Sequence, residues 1–427
     1  MSIPRFLNSA FLGFQVVELK EWLKEGRIEV YLTAQEGRPK LCHRCSNELQ
    51  PQSQGKYPVK IEGMSILGLR FFVHFWRERG YCAKCKKIRA ENIAWISAET
   101  PHLTQEYGWW LGRLCEIAAV SRVAEMFYRD ETTLWRLDLA RMKRMLVRYK
   151  IPEATAISVD EVYARKKPKF KGESRDDRFF TVISDLKTRK VIWVSESRRK
   201  EALDQFFLLI GKEQSAKIEV VASDQHEGYA ASIRENVPKA VHVWDRFHLM
   251  QLFEEAVNET RKQLHAEQEG GSELSRLSRG QYRFLFVKKA SRRTDEEKSH
   301  IDDVLRENAG FAKLEVIKER MLTFFDQPTE QEAKSIFDEI GDWIWQCRFT
   351  PLMNWHKKFE QGWATVKNYF RFRVTSALSE GINNVIKMLK RRAFGYRNME
   401  YFRLKILQVC GYLNSRFIPS IDSMTSQ

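Results

Sequence analysis

Two short apolar runs near the middle of the sequence each lead into an aspartate. Residues 157–159 precede Asp160, and residues 220–223 precede Asp224. Both runs are rich in β-branched residues and too short for helices, so we predict two buried strands, each with a carboxylate at its C-terminal end. Carboxylates that meet at one sheet edge repel each other unless a cation lies between them, and hard oxygen ligands suit Mg²⁺. The pattern predicts a magnesium site that includes Asp160 and Asp224.

A predicted helix near the C-terminus offers a third carboxylate. Within residues 379–392, apolar side chains recur at helical spacing on one face. The opposite face carries a polar stripe formed by Glu380, Asn384, Lys387 and Arg391. Two interpretations stay open: the stripe aims a carboxylate, an amide and two cations at a phosphate-bearing partner, or it is the solvated face of an ordinary amphipathic helix.

Four of the seven cysteines form two CxxC pairs, namely Cys42, Cys45, Cys82 and Cys85. Each pair makes a tight turn that directs two thiolates at one ion, and two pairs complete a tetrahedral zinc site. The residues between the pairs, 56–61 and 69–78, have strand character, which favours a structural zinc-binding domain. The alternative is a set of reduced structural or redox cysteines. An odd cysteine count argues against a secreted disulfide framework.

Length and charge set the class of protein. With 427 residues, of which 43% are hydrophobic, the chain is long enough for two to four domains. The net charge of +16 favours an anionic partner, of which nucleic acid is the commonest. We find no apolar run of about 18 residues and no signal-peptide pattern. We therefore expect a soluble, cytoplasmic protein without a membrane partner.

The segment 103–150 has helical periodicity. Two helices separated by a polar break at residues 128–130 resemble a helix-turn-helix. At the start of the second of these helices, Thr132, Thr133 and Arg136 are expected to read base edges. The basic run that follows, including Arg144 and Arg148, suits phosphate contacts, although such a run is also often a solvated face.

An α/β pattern follows Pro152. Predicted strands end near residues 160, 184 and 195, a helix covers 201–210, and a further strand, helix and strand end at residues 224, 235 and 244. This order matches the ribonuclease H-like fold, in which the first and fourth strands are neighbours. That arrangement brings Asp160 and Asp224 together. Residues 246–370 show helical periodicity and no strand pattern.

These motifs together resemble bacterial insertion-sequence transposases of the DDE family called ISL-three. The resemblance covers residues 41–413, and its most diagnostic parts are the Asp-Arg-Phe-His sequence at residues 245–248 and the block from Glu380 to Asn398. It departs at residues 376–377, where the family usually has Asn-Gly and this chain has Ser-Ala.

The resemblance implies that Asp160, Asp224 and Glu380 form an acidic triad with a helical insertion between the last two. Such a triad holds two Mg²⁺ ions about 4 Å apart, with Mn²⁺ as a substitute, and needs no nucleophilic side chain. Asp245, His248 and Asn384 are candidates for residues that adjust the acidic site or orient a phosphate. Asp245 and His248 fit equally well as a structural cap on the following helix. Glu161 and Glu227 are expected either to contact the metal-binding residues without binding the metal themselves, or to be exposed to solvent.

We therefore predict a multidomain α+β protein. Its segments are a zinc-binding domain (1–100), a helix-turn-helix (101–150), a ribonuclease H-like core in two parts (151–265 and 371–415), a helical insertion (266–370) and a tail (416–427). The predicted function is Mg²⁺-dependent cleavage and transfer of DNA strands at terminal inverted repeats, by a homodimer at the bacterial nucleoid that joins two ends to target DNA. The alternatives are a transposase-derived DNA-binding regulator without catalysis and another nuclease of the same fold, such as a junction resolvase.

Overall fold

The computed structural model describes residues 9–165, 172–267, 284–373 and 377–414. The chain forms two compact units with mixed α/β structure. The first comprises Met1–Lys150 together with Leu389–Gln427, and the second comprises Ile151–Met388. The finer division into six segments stays a prediction. Within the described residues, no helix is both long and apolar enough to cross a membrane.

A five-stranded sheet opens the first unit. Its strands are β1 (Phe14–Trp22), β2 (Arg27–Ala34), β3 (Gln50–Ile66), β4 (Leu69–Cys82) and β5 (Lys87–Ala90). Strands β1, β2, β4 and β3 lie in that order, and β5 pairs with β4. Phe14 and Phe75 pack edge-on against Trp95, and this aromatic cluster anchors the core of the sheet. The strands predicted between the CxxC pairs are confirmed.

Helices complete the first unit. They are α1 (Gln105–Ile117), α2 (Val120–Met126), α3 (Glu131–Val147) and, from the C-terminal segment, α14 (Met399–Val409). The predicted polar break is confirmed: Asp130 caps α3 by accepting a hydrogen bond from the Thr133 backbone N–H at 2.7 Å. Leu111, Val123 and Leu134 pack between α1, α2 and α3.

The second unit contains a second five-stranded sheet. Its strands are β6 (Ala156–Tyr163), β7 (Phe179–Asp185), β8 (Lys190–Glu196), β9 (Val220–Ser223) and β10 (Val241–Trp244), in the order β10-β9-β6-β7-β8. Strands β6, β7 and β8 are antiparallel neighbours, whereas β9 and β10 run parallel to β6. Two helices, α4 (Lys200–Ser215) and α5 (Glu227–Asn236), connect β8 to β9 and β9 to β10. Every residue of β9 is buried, as its continuous apolar run predicts.

After β10, the regular elements that the structure describes in the second unit are helices, as predicted. Its helices are α6 (Arg246–Ala266), α7 (Asp295–Glu307), α8 (Ala309–Met321), α9 (Glu330–Cys347), α10 (Thr350–Gln361), α11 (Trp363–Val366), α12 (Asn368–Phe372) and α13 (Ala377–Arg392). The last turn of α13 already belongs to the first unit. Phe253, Phe324 and Phe337 are fully buried in a core that also includes Val243 of β10. The helices therefore share one core with the sheet edge.

Gly362, between α10 and α11, packs directly on the Trp244 ring at the end of β10. A Cβ atom at this position would lie 1.8 Å from the ring. We expect Gly362→Ala to lower the free energy of unfolding by about 1–3 kcal/mol, because the ring or the helix must shift. Urea denaturation measures the change. Gly381→Ala is the matched control, since a Cβ there meets nothing within 4 Å and alanine favours the helix; an equal loss in both variants would contradict the steric argument.

Candidate functional site

Asp160 and Asp224 lie side by side at the carboxyl ends of two parallel strands. Strands β6 and β9 are direct neighbours, and their register pairs Val159 with Ser223. Asp160 is the next residue of β6, and Asp224 is the first residue after β9. The structure thus confirms that the first and fourth strands of this sheet are adjacent. Asp160 is buried and Asp224 is half-buried beside it.

Burial and mutual repulsion both act on this pair of acids. Burial raises the pKa of Asp224, and the negative charge of Asp160 raises it further, although the backbone N–H of His226 donates to Asp224 Oδ1 at 3.0 Å and opposes the shift. Only 8% of the Asp160 surface is exposed. Positive charge near these oxygens is therefore electrostatically favoured.

Two side chains from different helices stabilise the negative charge of the Asp160 carboxylate. Asn383 of α13 donates its Nδ2–H to Asp160 Oδ2 at 2.7 Å. His248 of α6 places Nε2 3.6 Å from Asp160 Oδ1 and 3.9 Å from the Asp245 carboxylate. Contact with Asp160 is the main reason that the pKa of His248 is raised to about 9. His248 is consequently an imidazolium at neutral pH and faces the acids as a cation.

Asp245 serves as the helix cap that the sequence left open as an alternative. Asp245 directly follows β10 and is the N-cap residue of α6. Its carboxylate accepts a hydrogen bond from the Phe247 backbone N–H at 2.9 Å in the first turn of that helix. The cap fixes where α6 begins and hence places His248 one turn into the helix. The Asp245 carboxylate also lies 3.9 Å from His248 Nε2.

The amphipathic character predicted for α13 is confirmed. Ile382, Ile386 and Leu389 are buried, whereas the polar stripe is exposed at every predicted position: Glu380, Asn384, Lys387 and Arg391. Asn383, not Asn384, reaches Asp160. Glu380 lies three residues before Asn383, so the two share one side of the helix about one turn apart. Ser376 lies outside the described residues, as does the side chain of Ala377, so the family departure at these positions has no structural account.

Behind Asp160, a second acid is neutralised by an arginine. Arg198 Nη1 lies 2.9 Å from Glu161 Oε1, and its Nε bonds Asp176 at 2.7 Å. Burial raises the pKa of Glu161, and Arg198 opposes this shift. Glu227, in the first turn of α5, is exposed.

The four CxxC cysteines converge in the first unit. Cys45 Sγ lies 3.4 Å from Cys82 Sγ and 3.5 Å from Cys85 Sγ, and Cys42 Sγ lies 4.0 Å from Cys85 Sγ. Burial raises the pKa of the Cys42 thiol, but the backbone N–H groups of Arg44 and Cys45 outweigh it and bring that pKa to about 7. Within the described ranges, these cysteines are the only set in which three or more potential ligand atoms lie within 4.8 Å of one another. The cluster could hold a metal ion, whereas Asp160, Asp224 and Glu380 do not form such a set.

The residues predicted to contact DNA occupy α3 and its end. Thr132 and Arg136 are exposed, Thr133 is half-buried beside its cap, and Arg148 is exposed at the helix end. Arg144 instead donates to Glu99 Oε2 at 2.7 Å, and this ion pair occupies its guanidinium.

One member of the basic run lies inside the protein. Arg141 is 1% exposed and pairs with Asp138 and Glu116 at 3.1 and 2.9 Å. The expectation that the whole run faces phosphate is wrong for Arg141, because a buried carboxylate one turn earlier on α3 binds it.

The sequence is also similar to known proteins. A family model described as a transposase matches residues 157–406, a range that holds Asp160, Asp224 and Glu380. The chain is 25% identical over 410 residues to a transposase for insertion sequence element IS1001 from Bordetella parapertussis, and this alignment covers 95% of the chain and 98% of that protein. It is 21% identical over 325 residues to a transposase for insertion sequence element IS1557 from Mycobacterium tuberculosis, covering 71% and 70% of the two chains. Since the family model spans more than half of the sequence, the chain belongs to the ISL3 (ISL-three) family of insertion-sequence transposases.

Proposed function

We propose that the protein binds the terminal inverted repeats of its insertion sequence and catalyses Mg²⁺-dependent cleavage and transfer of DNA strands. The observation that carries this proposal is the adjacency of Asp160, which is buried, and Asp224, which is half-buried, at the carboxyl ends of β6 and β9. The strand order β10-β9-β6-β7-β8, with three antiparallel strands followed by two parallel ones, supports a ribonuclease H-like core. A protein that only bound DNA would have no use for two adjacent carboxylates largely withdrawn from solvent.

The donor chemistry of the site fits magnesium. Asp160 and Asp224 offer hard oxygen ligands, and burial raises the pKa of Asp224, a shift that a bound cation would oppose. Glu380 is the third proposed ligand, on the same side of α13 as Asn383, which already bonds Asp160. When bound, two such ions supply an activated water or 3′-hydroxyl and stabilise the leaving oxygen. Because the carboxylate oxygens of Asp160, Asp224 and Glu380 do not all lie within 4.8 Å of one another in the described structure, we infer that Glu380 approaches the two aspartates when DNA and metal bind.

The neighbours of Asp160 have a positioning role in this proposal. His248 supplies a cation and Asn383 a hydrogen bond, and together they hold the Asp160 carboxylate in a single orientation. A ligand held in this way loses little freedom when a metal binds. Asn384 lies on the exposed stripe and Asp245 caps α6, so we propose that both act further from the reaction than His248 and Asn383 do.

Asn383 and Asn384 offer a direct comparison of the two neighbouring amides. Asn383→Ala removes the 2.7 Å hydrogen bond to Asp160, and we expect a loss of cleavage rate of about 10- to 150-fold, since one such bond to a charged group is worth about 1.5–3 kcal/mol. Asn384→Ala, on the exposed stripe, should leave the rate of cleavage of bound DNA within about twofold. Single-turnover cleavage at saturating DNA measures both. The reverse order of effects would contradict the assignment of Asn383.

The first unit is proposed to recognise DNA. Helices α2 and α3 fit a helix-turn-helix, with Thr132, Thr133 and Arg136 at base edges and Arg148 at phosphate. Arg144 can contact phosphate only by leaving Glu99, so its contribution should be smaller than that of Arg148. Lys387 and Arg391, exposed on α13, are proposed to contact the DNA backbone.

Zinc is the proposed ion for the cysteine cluster. A regular zinc site with Zn–S bonds of about 2.3 Å requires Sγ atoms about 3.8 Å apart, and the observed separations of 3.4–4.0 Å bracket this value. The lowered pKa of Cys42 also favours the thiolate that a metal needs. The site closes the turn between β4 and β5 onto the loop before β3.

We therefore expect the purified protein to carry about one tightly bound zinc ion per chain. Cys82→Ser should remove it and unfold the surrounding sheet locally, because the fully buried Cys82 thiol lies at the centre of the cluster. Elemental analysis and amide hydrogen exchange measure the two effects. Cys347→Ser, at a half-buried cysteine outside the cluster, is the matched control and should keep the zinc. Protein from zinc-replete medium that contains no zinc would rule the site out.

The function itself is tested with the DNA that flanks the gene. Duplexes that carry the inverted repeats from that DNA should be bound in preference to scrambled duplexes, and cut at the repeat ends when Mg²⁺ is added. A regulator without catalysis would bind the repeats but leave them intact in Mg²⁺ or Mn²⁺. A junction resolvase would instead cut four-way junctions irrespective of the repeats. We propose a homodimer as the active form, since two ends must be joined, and mass photometry of the repeat complex tests it.

A further inference from the structure

Phe394, in the turn after α13, is the most exposed aromatic residue that the structure describes. It is 99% exposed, and its backbone lies in the left-handed region with φ of +50°. Its neighbour two residues later, Tyr396, points inward and stacks on Phe402 with ring centroids 4.5 Å apart. The two rings of one short turn therefore have opposite environments.

The turn itself is rigidly held. The Phe394 N–H donates to the Arg391 carbonyl at 3.0 Å, and the Gly395 N–H donates to the Lys390 carbonyl at 2.9 Å. This pair of bonds is the Schellman motif, which ends many helices and which usually has glycine where this chain has Phe394. Arg392 adds an anchor by donating to the Ile117 and Glu116 carbonyls at 2.8 and 3.1 Å. The ring of Phe394 is consequently presented on a fixed backbone.

Phe394 gains nothing for folding from this position. A side chain in the left-handed region is strained relative to glycine, and an apolar ring in water loses the burial that normally stabilises it. Glycine would form the same turn without either cost. An aromatic residue here is therefore explained better by what it contacts outside the chain.

The same arrangement recurs at the end of α2. Tyr128 is 95% exposed with φ of +48°, and the hydrogen bonds from Tyr128 to Glu125 and from Arg129 to Ala124 form a second Schellman motif. It comes two residues before the Asp130 cap of α3, the helix proposed to enter the DNA groove. A second exposed ring thus lies next to a segment that is independently proposed to bind DNA.

Charge indicates the partner of Phe394. The turn follows the basic end of α13, and Arg391 and Arg397 on either side are exposed in a chain with a net charge of +16. An exposed ring surrounded by cations is typical of a surface that binds single-stranded nucleic acid. There, arginines contact the phosphates and the ring stacks on a base. Phenylalanine has no group that can read base edges by hydrogen bonding. Within a duplex the base faces are already covered, so the free face of an unpaired base is the complementary surface.

We propose that Phe394 stacks on an unpaired nucleobase of the transposon end. This inference rests on the proposed function, because strand cleavage and transfer are what create unpaired bases at such an end. Phe394 would then contribute to binding of the opened end and not to recognition of the paired repeat.

The test compares two DNA probes with the full-length, zinc-loaded protein in Ca²⁺, which permits binding in place of Mg²⁺. One probe is a blunt duplex of the inverted repeat taken from the flanking DNA, and the other is the same duplex with a three-nucleotide single-stranded extension. Fluorescence anisotropy gives the affinity of each variant for both probes. Wild type should prefer the extended probe, and Phe394→Gly should lose that preference by about 5- to 150-fold, the range expected for one stacked base. Phe394→Trp should keep it.

Leu67→Gly is the matched control. Leu67 is 97% exposed with φ of +49° in the β3–β4 turn, but residues 64–69 carry no cation, and the nearby Arg70 is paired with both carboxylate oxygens of Glu62 at 3.2 and 3.1 Å. Both glycine variants should melt at or above the wild-type temperature, and Leu67→Gly should keep the probe preference. An unchanged preference in Phe394→Gly, or no preference in wild type, would overturn the stacking role. Failure of wild type to prefer repeat over scrambled duplex would instead count against the proposed function.

Discussion

Asp160→Asn should bind transposon-end DNA normally and cleave it at least about 10³-fold more slowly than the wild-type protein. The substitution keeps the shape of the side chain and removes the charge that helps to hold the metal, whose stabilisation of developing charge supplies several kcal/mol of the barrier reduction. Asp224→Asn and Glu380→Gln should show the same combination of normal DNA binding and slow cleavage. Single-turnover cleavage of a repeat duplex in Mg²⁺ measures the rates, and a gel-shift assay in Ca²⁺ measures binding.

The control for these variants is Asp342→Asn, at an exposed aspartate of α9. It should cleave at the wild-type rate. We also expect Mn²⁺ to restore part of the activity of Glu380→Gln, since Mn²⁺ tolerates imperfect oxygen geometry better than Mg²⁺ does. Full Mg²⁺-dependent cleavage by Glu380→Gln would move the third ligand elsewhere, and Asp245 would be examined first. Full cleavage by all three variants would remove the proposed mechanism.

The sequence predicted the acidic pair because strand formation is a local property. The β-branched runs before Asp160 and Asp224 are short, apolar and bounded by polar residues, and both became buried strands. Their adjacency followed from the order of strands and helices. The structure confirms that order, including the parallel pairing of β6 with β9.

The partners of Asp160 were predicted less well, because they depend on how helices rotate against the sheet. The polar stripe on α13 singled out Asn384, but the structure directs its neighbour Asn383 at Asp160. Asn383 and Asn384 lie three and four residues after Glu380, so both share its side of the helix, and the spacing alone could not decide which amide reaches Asp160. His248 was recognised only as a candidate, because its distance from Asp160 is set by the Asp245 cap and by the packing of α6.

Arg141 shows what charge alone cannot reveal. The basic run of α3 suggested a surface that faces phosphate, yet the partners of Arg141 include Asp138 on its own helix and Glu116 on α1. Asp138 in turn binds α14, more than 260 residues later in the sequence. No local pattern connects residues at that separation, so the burial of this network could not be inferred from the sequence.

That network leads to the largest expected effect on stability. Asp138 is fully buried, accepts a hydrogen bond from the Tyr401 hydroxyl at 2.6 Å, and pairs with Lys405 at 2.7 Å and Arg141 at 3.1 Å. Asp138→Asn leaves two buried cations without this counter-charge, and we expect the free energy of unfolding to fall by about 3–5 kcal/mol. Urea denaturation followed by tryptophan fluorescence measures the loss.

Lys143→Ala, on the same helix, is the matched control for Asp138→Asn. It breaks an exposed 2.8 Å ion pair with Glu400 and should cost less than about 1 kcal/mol.

The pH dependence of the free energy of unfolding gives a further test of the role of Asp138. Burial alone would raise the pKa of Asp138, but Lys405 and Arg141 outweigh it and hold that pKa below its usual value. A lowered folded-state pKa contributes stability that is present above the unfolded value of about 3.9 and is lost as the pH falls. The stability gap between wild type and Asp138→Asn should therefore narrow as the pH falls below about 4. A gap that stays constant through this range, or that Lys143→Ala reproduces, would mean that α14 is held on α3 by apolar packing and not by the Asp138 carboxylate.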